Sequence, residues 1–239
     1  MKKMIKTISV LLLVLLVLPA SIFGKEEQSY SEEDTFATVE YIVGDVKIDT
    51  TGYDQYIDAY VGDQLSKSTK IVTGFESSIE IKLESGTVIK ISENSEFIID
   101  ELIKTEGSKN KTSLFTLVKG KVRAVVAKLT GQDDSFEITT PNGVASVRGT
   151  DFGVTSDVSN NSDILVFEGA VAVGSDPASL VLVEPGQMIS IVDGVMSNVV
   201  EIPEDLKQGF LEEMDVKTET PKDNQDVTEN DGEDNGDNT

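Results

Sequence analysis

Between Phe36 and Val200 the apolar residues fall into short runs with a period of two, broken by Gly, Asp, Asn and Ser. Ile79, Ile81 and Leu83 alternate with Glu80, Lys82 and Glu84, Ser85-Gly86 follows, and Ile89 and Ile91 then flank Lys90. That spacing predicts a β-hairpin with one buried face. Similar strands are expected at Val39 to Val43, Leu114 to Val118, Val122 to Leu129, Phe136 to Thr140, Ile164 to Phe167, Leu180 to Val183 and Met188 to Val192. Helical spacing is missing from this stretch. Gly44-Asp45-Val46, Gly120-Lys121-Val122 and Gly169-Ala170-Val171 each place a glycine and one spacer before a β-branched residue that opens a strand. The intervals between them are unequal, which argues against a fixed-period solenoid. The expectation is an all-β domain over 36–200, a sandwich or irregular β-roll of many short strands.

The pattern changes at both ends. Ile202, Leu206, Phe210 and Met214 recur every four residues behind Pro203-Glu204-Asp205, which predicts a short amphipathic helix over 201–215. This helix is expected to cap an open end of the β core rather than to take a partner, and Gly209 weakens it. Residues 216–239 lose almost every apolar side chain and gain acids, so a disordered acidic tail is expected. At the other end Lys2, Lys3 and Lys6 precede the uncharged run Ile8 to Leu18, which Pro19, Ala20 and Ser21 interrupt. This is the layout of a secretory signal peptide over 1–24, since the run is shorter than the about 20 residues a membrane-spanning helix needs. Cleavage is expected after Gly24, with Ala20 as the alternative. Residues 25–35 then read as a flexible acidic leader. No later stretch offers a membrane anchor, so the mature chain is expected to be soluble and exported, periplasmic or extracellular.

Charge and composition narrow the chemistry. The chain carries 43 Asp and Glu against 20 Lys and Arg, a net charge of -23. Such a surface repels phosphate backbones and anionic lipid, which makes nucleic acid and bare membrane poor partners. With no cysteine there is no lipid-modified N-terminal Cys, no disulfide and no thiolate site. The absence of histidine removes the commonest general base and metal ligand. Neither a nucleophile elbow nor a phosphate-binding glycine loop is present. A glycosidase needs only two carboxylates, yet such sites sit among sugar-stacking aromatics, and this chain has no Trp. The stretch Asp231 to Gly236 begins like a calcium-binding EF-hand loop and stops before its twelfth position. No catalytic residue, cofactor or metal is expected.

The most specific stretch is Phe136 to Val154, FEITTPNGVASVRGTDFGV. A strand ends at Thr140, Pro141-Asn142-Gly143 turns, and Arg148-Gly149-Thr150-Asp151 leads into the next strand. Arg148 and Arg123 are the two arginines of the chain, and arginine's planar fork suits fixed, paired hydrogen bonds. A structural pairing of Arg148 with Asp151 or Glu168 is the reading preferred over ligand contact. Thr150 interrupts any Arg-Gly-Asp adhesion motif.

Thr140 to Phe152 resembles the signature of the FecR domain, the extracytoplasmic module of iron-dicitrate sensor and anti-sigma regulators. Gly62-Asp63-Gln64-Leu65 with Ile71 to Gly74, Glu84 to Ile89, Val118 to Arg123, Val166 to Val173 and Glu184 to Gln187 resemble further parts of that domain in order. The resemblance spans about residues 36–195. It implies an all-β module that takes part in protein-mediated envelope signalling without chemistry of its own. The signature residues it marks, expected to be structural, are Pro141, Gly143, Arg148, Gly149, Thr150, Asp151, Phe152, Arg123 and Gly169. The expected role is an exported FecR-like domain that binds a protein or envelope component, with no stable membrane anchor once its leader is removed. The alternatives are an architectural surface or matrix scaffold and, more remotely, a glycan-active enzyme. Lacking a cytoplasmic helical segment, the chain is not expected to act as sole transducer to a sigma factor.

Overall fold

A computed structural model describes residues 32–105, 111–131, 134–175 and 179–216. The expected signal peptide, most of the leader and the tail from residue 217 lie outside them. The first strands are β1 (Glu32–Asp34), β2 (Ala37–Val43), β3 (Val46–Asp49), β4 (Ile57–Asp58), β5 (Gln64–Leu65) and β6 (Lys70–Thr73). Then come β7 (Ser78–Leu83), β8 (Val88–Ile91), β9 (Glu96–Thr105) and the long β10 (Lys111–Val125). Strands β11 (Ser135–Thr140), β12 (Gly143–Val147), β13 (Asp151–Ser156), β14 (Ser162–Glu168) and β15 (Val171–Gly174) follow. The chain closes with β16 (Val181–Val183), β17 (Gln187–Val192), β18 (Val195–Met196), β19 (Val200–Glu201) and helix α1 (Glu204–Glu213). Among the described residues no helix is long and apolar enough to cross a membrane.

The strands build two sheets. The first runs β4-β3-β6-β9-β10-β11-β12-β15-β16, with β1 on the far half of the β9 edge that β6 occupies. The second runs β5-β2-β7-β8-β10-β13-β14-β17, with β18 and β19 beyond it. No described pairing joins their outer strands, so both sheets are open. Strand β10 belongs to both: its first part pairs with β9 and its last residues, Gly120 to Val125, with β8 and β13. From β11 onward, hairpins alternate between the sheets, β11–β12 and β15–β16 in the first, β13–β14 and β17–β18 in the second. The result is an all-β, irregular two-sheet roll.

The glycine theme of the sequence marks the crossings between sheets. Gly44 lies between β2 and β3, Gly120 inside β10, and Gly169 between β14 and β15. At Gly120 the backbone has φ +105, and a Cβ there would lie 2.5 Å from the Ser95 Cβ, so only glycine lets β10 bend past the β8–β9 corner.

The core fills the space between the sheets. Ile79, Ile81, Ile89 and Ile91 point inward, and Ile79 faces Ile91 across the β7–β8 ladder as the alternation requires. A row of phenylalanines crosses the middle: Phe97 and Phe115 stack at 5.4 Å, Phe136 lies 5.2 Å from Phe115, and Phe152 meets Phe136 edge-on at 6.3 Å. All four are fully buried, worth about 1.5–3 kcal/mol each.

Several expectations change in detail. Residues 32–34, assigned to the leader by their charge, pair with β9 through Glu32↔Thr105. The strands expected at Leu114–Val118 and Val122–Leu129 are one strand that ends at Val125. Helix α1 begins after Pro203 as predicted but lies across the outer face of the second sheet, away from the open ends. Ile202, Phe210 and Met214 form a separate apolar cluster there with Leu165 and Met188, which face opposite to the main core.

Candidate functional site

The signature residues divide between the two ends of β12. Pro141 and Asn142 form the β11–β12 turn, which the Asn142 side-chain amide ties to the β13–β14 loop by donating to the Asn160 carbonyl at 2.7 Å. Gly143 opens β12 and packs against the tip of Ile191, which a Cβ there would have to displace. At the other end, Arg148, Gly149 and Thr150 turn the chain from the first sheet into the second. Gly149 has φ +102, and the buried Thr150 donates its hydroxyl to the Ala170 carbonyl at 3.1 Å while its own carbonyl accepts from Val126 N–H at 2.9 Å. Gly169 lies directly against this corner: a Cβ there would lie 2.8 Å from the Gly149 carbonyl oxygen. Phe152, next in the signature, is fully buried in the core.

Asp151 takes the other arginine. Arg123 donates Nε to Oδ1 at 2.9 Å and Nη2 to Oδ2 at 2.8 Å, a two-pronged pair between adjacent strands. Of the two partners expected for Arg148, Asp151 or Glu168, the first is therefore taken by an arginine 28 residues away. Arg148 is exposed and reaches the Asp134 carbonyl at 3.5 Å. The third prong of Arg123, Nη1, donates to the Met214 carbonyl at 3.1 Å, just past the end of α1. The hydrogen bonds to Asp151 outweigh the burial of the guanidinium and hold its pKa above the ordinary arginine value.

Two further cations of the sheet meet the same helix end. Lys90 Nζ donates to the Asp215 carbonyl at 2.6 Å, and Lys121 forms an ion pair with Glu213, whose other oxygen accepts from Ser92 Oγ at 2.8 Å. Burial alone would push the Glu213 carboxyl up, but the bonds from Lys121 and Ser92 prevail and hold it below its usual range. Helix α1 has no basic residue in its last turn, so the sheet supplies the positive charge that its C-terminal carbonyls favour. The apolar side of the dock is equally specific. Phe210 lies over Gly153, beside Phe167 at 5.4 Å and under Lys121 at 5.5 Å. Three consecutive residues thus serve three different ends: Asp151 holds Arg123, Phe152 fills the core, and Gly153 leaves a slot for the helix.

Beside the Pro141 turn lies a cavity of about 630 Å³ whose walls include Glu137, Thr139, Ser146, Val144 and Leu180. Its lining sets hydroxyls and a carboxylate beside apolar groups, which suits orientation of a small polar ligand or a partner's side chain. Among the described residues no three His, Cys, Asp or Glu side chains come together to hold a metal ion. The sequence missed two features: Gly153 as the seat of the helix, for which glycine inside a strand was the available signal, and the exposed aromatic edge at Tyr53 to Val61.

Residues 69–172 match the family model described as FecR protein, which bears out the resemblance carried by the signature. No curated protein matches the chain. Two crystal structures, at 1.65 and 2.50 Å resolution, of a "putative anti-sigma factor" from Parabacteroides distasonis ATCC 8503 match it at 18% identity with a TM-score of 0.48. Each covers 59% of this chain, and the match spans 64% and 63% of their own lengths, less than two thirds.

Proposed function

We propose that this chain, which carries FecR-type sequence over residues 69–172, is an exported, non-enzymatic β module that binds a protein or envelope component in cell-envelope signalling. The carrying observation is how the signature is used. Gly149, Thr150, Asp151, Phe152, Gly169 and Arg123 are all engaged in corners, core and helix clamp, so the most specific residues of the chain maintain a rigid frame. A frame of this kind presents its turns, edges and cavity to a partner, and binding sites concentrate on such positions. Export rests on the N-terminal lysines and apolar run, which would place the module outside the cytoplasm.

Two measurements test the proposal. The exported fraction is expected to hold a chain that begins at Lys25, and crosslinking in intact cells is expected to yield a saturable partner with fixed stoichiometry. Full-length chain in the cytosol, or no captured partner, would overturn it. The architectural reading draws on the outer strand β16 and the residue before it, where Leu182 and Leu180 are 59% and 49% exposed. It predicts concentration-dependent self-association without a partner, abolished by Leu182→Lys.

A further inference from the structure

The opposite edge of the first sheet carries an unusual surface. Between β3 and β5, Tyr53, Tyr56, Ile57, Tyr60 and Val61 are all exposed, Tyr53 by 80% and Tyr60 by 66%. Three of the five tyrosines of the chain fall within residues 53–60. Tyrosine outside a core is the residue type that binding surfaces favour.

The backbone beneath these rings is fixed. The buried Asp49 carboxylate accepts from Thr51 N–H and Asp54 N–H at 2.8 Å each, from Thr51 Oγ at 2.6 Å and from Gly52 N–H at 3.2 Å. The Thr51 hydroxyl, followed by the backbone bonds, holds that carboxyl below its usual pKa. Farther on, Ala59 N–H donates to Val46, Gly62 N–H donates to Val39, and Asp63 accepts from Tyr60 N–H at 2.9 Å. A surface held this way needs little ordering when a partner arrives.

Charge and topology say what that partner is. Residues 45–63 hold five aspartates and one lysine. Asp54 and Asp58 are tied to Lys70 and Lys47 yet stay largely exposed, at 71% and 64% of their side chains. Strand β4 pairs only with β3 among the described strands, and both its residues are exposed, which leaves a free main-chain edge beside the rings. A second copy of this chain, with its net charge of -23, would be repelled. We infer that the β4 edge is a docking surface for an extended, lysine- or arginine-rich segment of a partner protein. Its main chain adds to β4, and its cationic side chains lie over Tyr53, Tyr56 and Tyr60 and beside Asp54, Asp58 and Asp63. This assignment rests on the proposed binding role and names the surface and partner chemistry for it.

The test uses tyrosine fluorescence, readable without interference because the chain has no Trp. The mature protein is titrated with a capped peptide of alternating lysine and valine, its glutamate–valine counterpart, and a neutral oligosaccharide. Saturable quenching by the lysine peptide alone is expected, weakened at least about tenfold in Tyr53→Ser/Tyr60→Ser and again by raising salt past the Debye regime of about 0.1 M. An unchanged melting midpoint certifies the variant's fold, and Leu182→Ser at the far edge leaves the affinity unchanged. Equal binding by the variant, equal binding of the glutamate peptide, or quenching by the oligosaccharide instead would overturn the inference. A photocrosslinker in cells separates this from the wider proposal: capture from position 182 but not 60 overturns the β4 surface alone, and capture from neither overturns both.

Discussion

Replacing Gly153 with alanine puts the docking of helix α1 to a direct test. The new Cβ would meet the tip of the Phe210 ring, closest at Cζ and then 2.6 Å from Cε1 and 3.0 Å from Cε2. Carbon atoms prefer about 3.5–4.0 Å, so the ring must retreat by more than about 1 Å. It cannot do so freely, because Phe167 and Lys121 hold its sides and the Arg123, Lys90 and Lys121 bonds hold the helix end. Overpacking of this kind costs about 1–3 kcal/mol. Against that stands a gain of about 0.5–1 kcal/mol from removing glycine from a strand interior. The net loss is about 1–2 kcal/mol, or about 3–6 °C in melting temperature for a domain of this size. Phe210→Ala alone is expected to cost about 3 kcal/mol, the lower end for a buried aromatic. In that background the clash is absent, so Gly153→Ala becomes stabilising by about 0.5–1 kcal/mol. The coupling, about 2 kcal/mol, far exceeds the roughly 0.3–0.5 kcal/mol scatter of independent sites. Urea unfolding of the four proteins of the cycle reads it, and amide exchange over 204–213 shows whether the helix is what moves. If Gly153→Ala shifts stability in the same direction in both backgrounds, Phe210 does not occupy this slot.

Three further outcomes follow from the same geometry. Arg123→Lys keeps the charge and loses the fork, and is expected to lower stability by about 1.5–3 kcal/mol by urea unfolding, more than Arg148→Ala at its exposed position; the reverse order would place the structural pairing on Arg148 after all. Gly86→Ala and Gly169→Ala both force a side chain onto positive φ, at about 1–2 kcal/mol, but only the second also meets backbone, so Gly169→Ala is expected to melt well below Gly86→Ala, and equal midpoints would refute the packed corner. The Glu213 carboxyl is depressed in the fold, so the unfolded chain takes up its proton first: its contribution is complete above the ordinary value of 4.5 and fades as pH falls through the folded value. The stability gap between the wild type and Glu213→Gln is therefore expected to close on acidification from pH 7 to 3, and a gap that widens would contradict the Lys121 clamp.

The parts of the fold that were legible in the sequence are those with one apolar and one polar face. The β7–β8 hairpin alternates cleanly because Glu80, Lys82 and Lys90 point away from the isoleucine face, even though Glu80 is itself buried there, and α1 repeats every fourth residue because only one side is covered. Strand β9 hid behind Asp100-Glu101, where the β9–β10 register shifts and alternation fails. Strand β12 is built from small residues between two turns and reads as part of them. The break expected at Gly120 is a bend, since a glycine can mark a change of sheet as well as an end. The clamp was unreadable for a different reason: Arg123 and Asp151 meet through strand pairing, and local spacing favoured the nearer Arg148. The aromatic edge was missed because three tyrosines among aspartates carry meaning only once the rings are known to face solvent.

Strand β10 gives the domain a single spine. Its first half is an interior strand of one sheet and its second half of the other, so neither sheet can melt and leave its neighbour's ladder complete. Cooperativity is thereby built into the connectivity: heat or denaturant is met by one transition rather than two. The same arrangement makes the foldable unit larger than the matched stretch 69–172, because a fragment cut at those bounds would leave β7 and β14 without the partners β2 and β17 and turn two interior strands into raw edges.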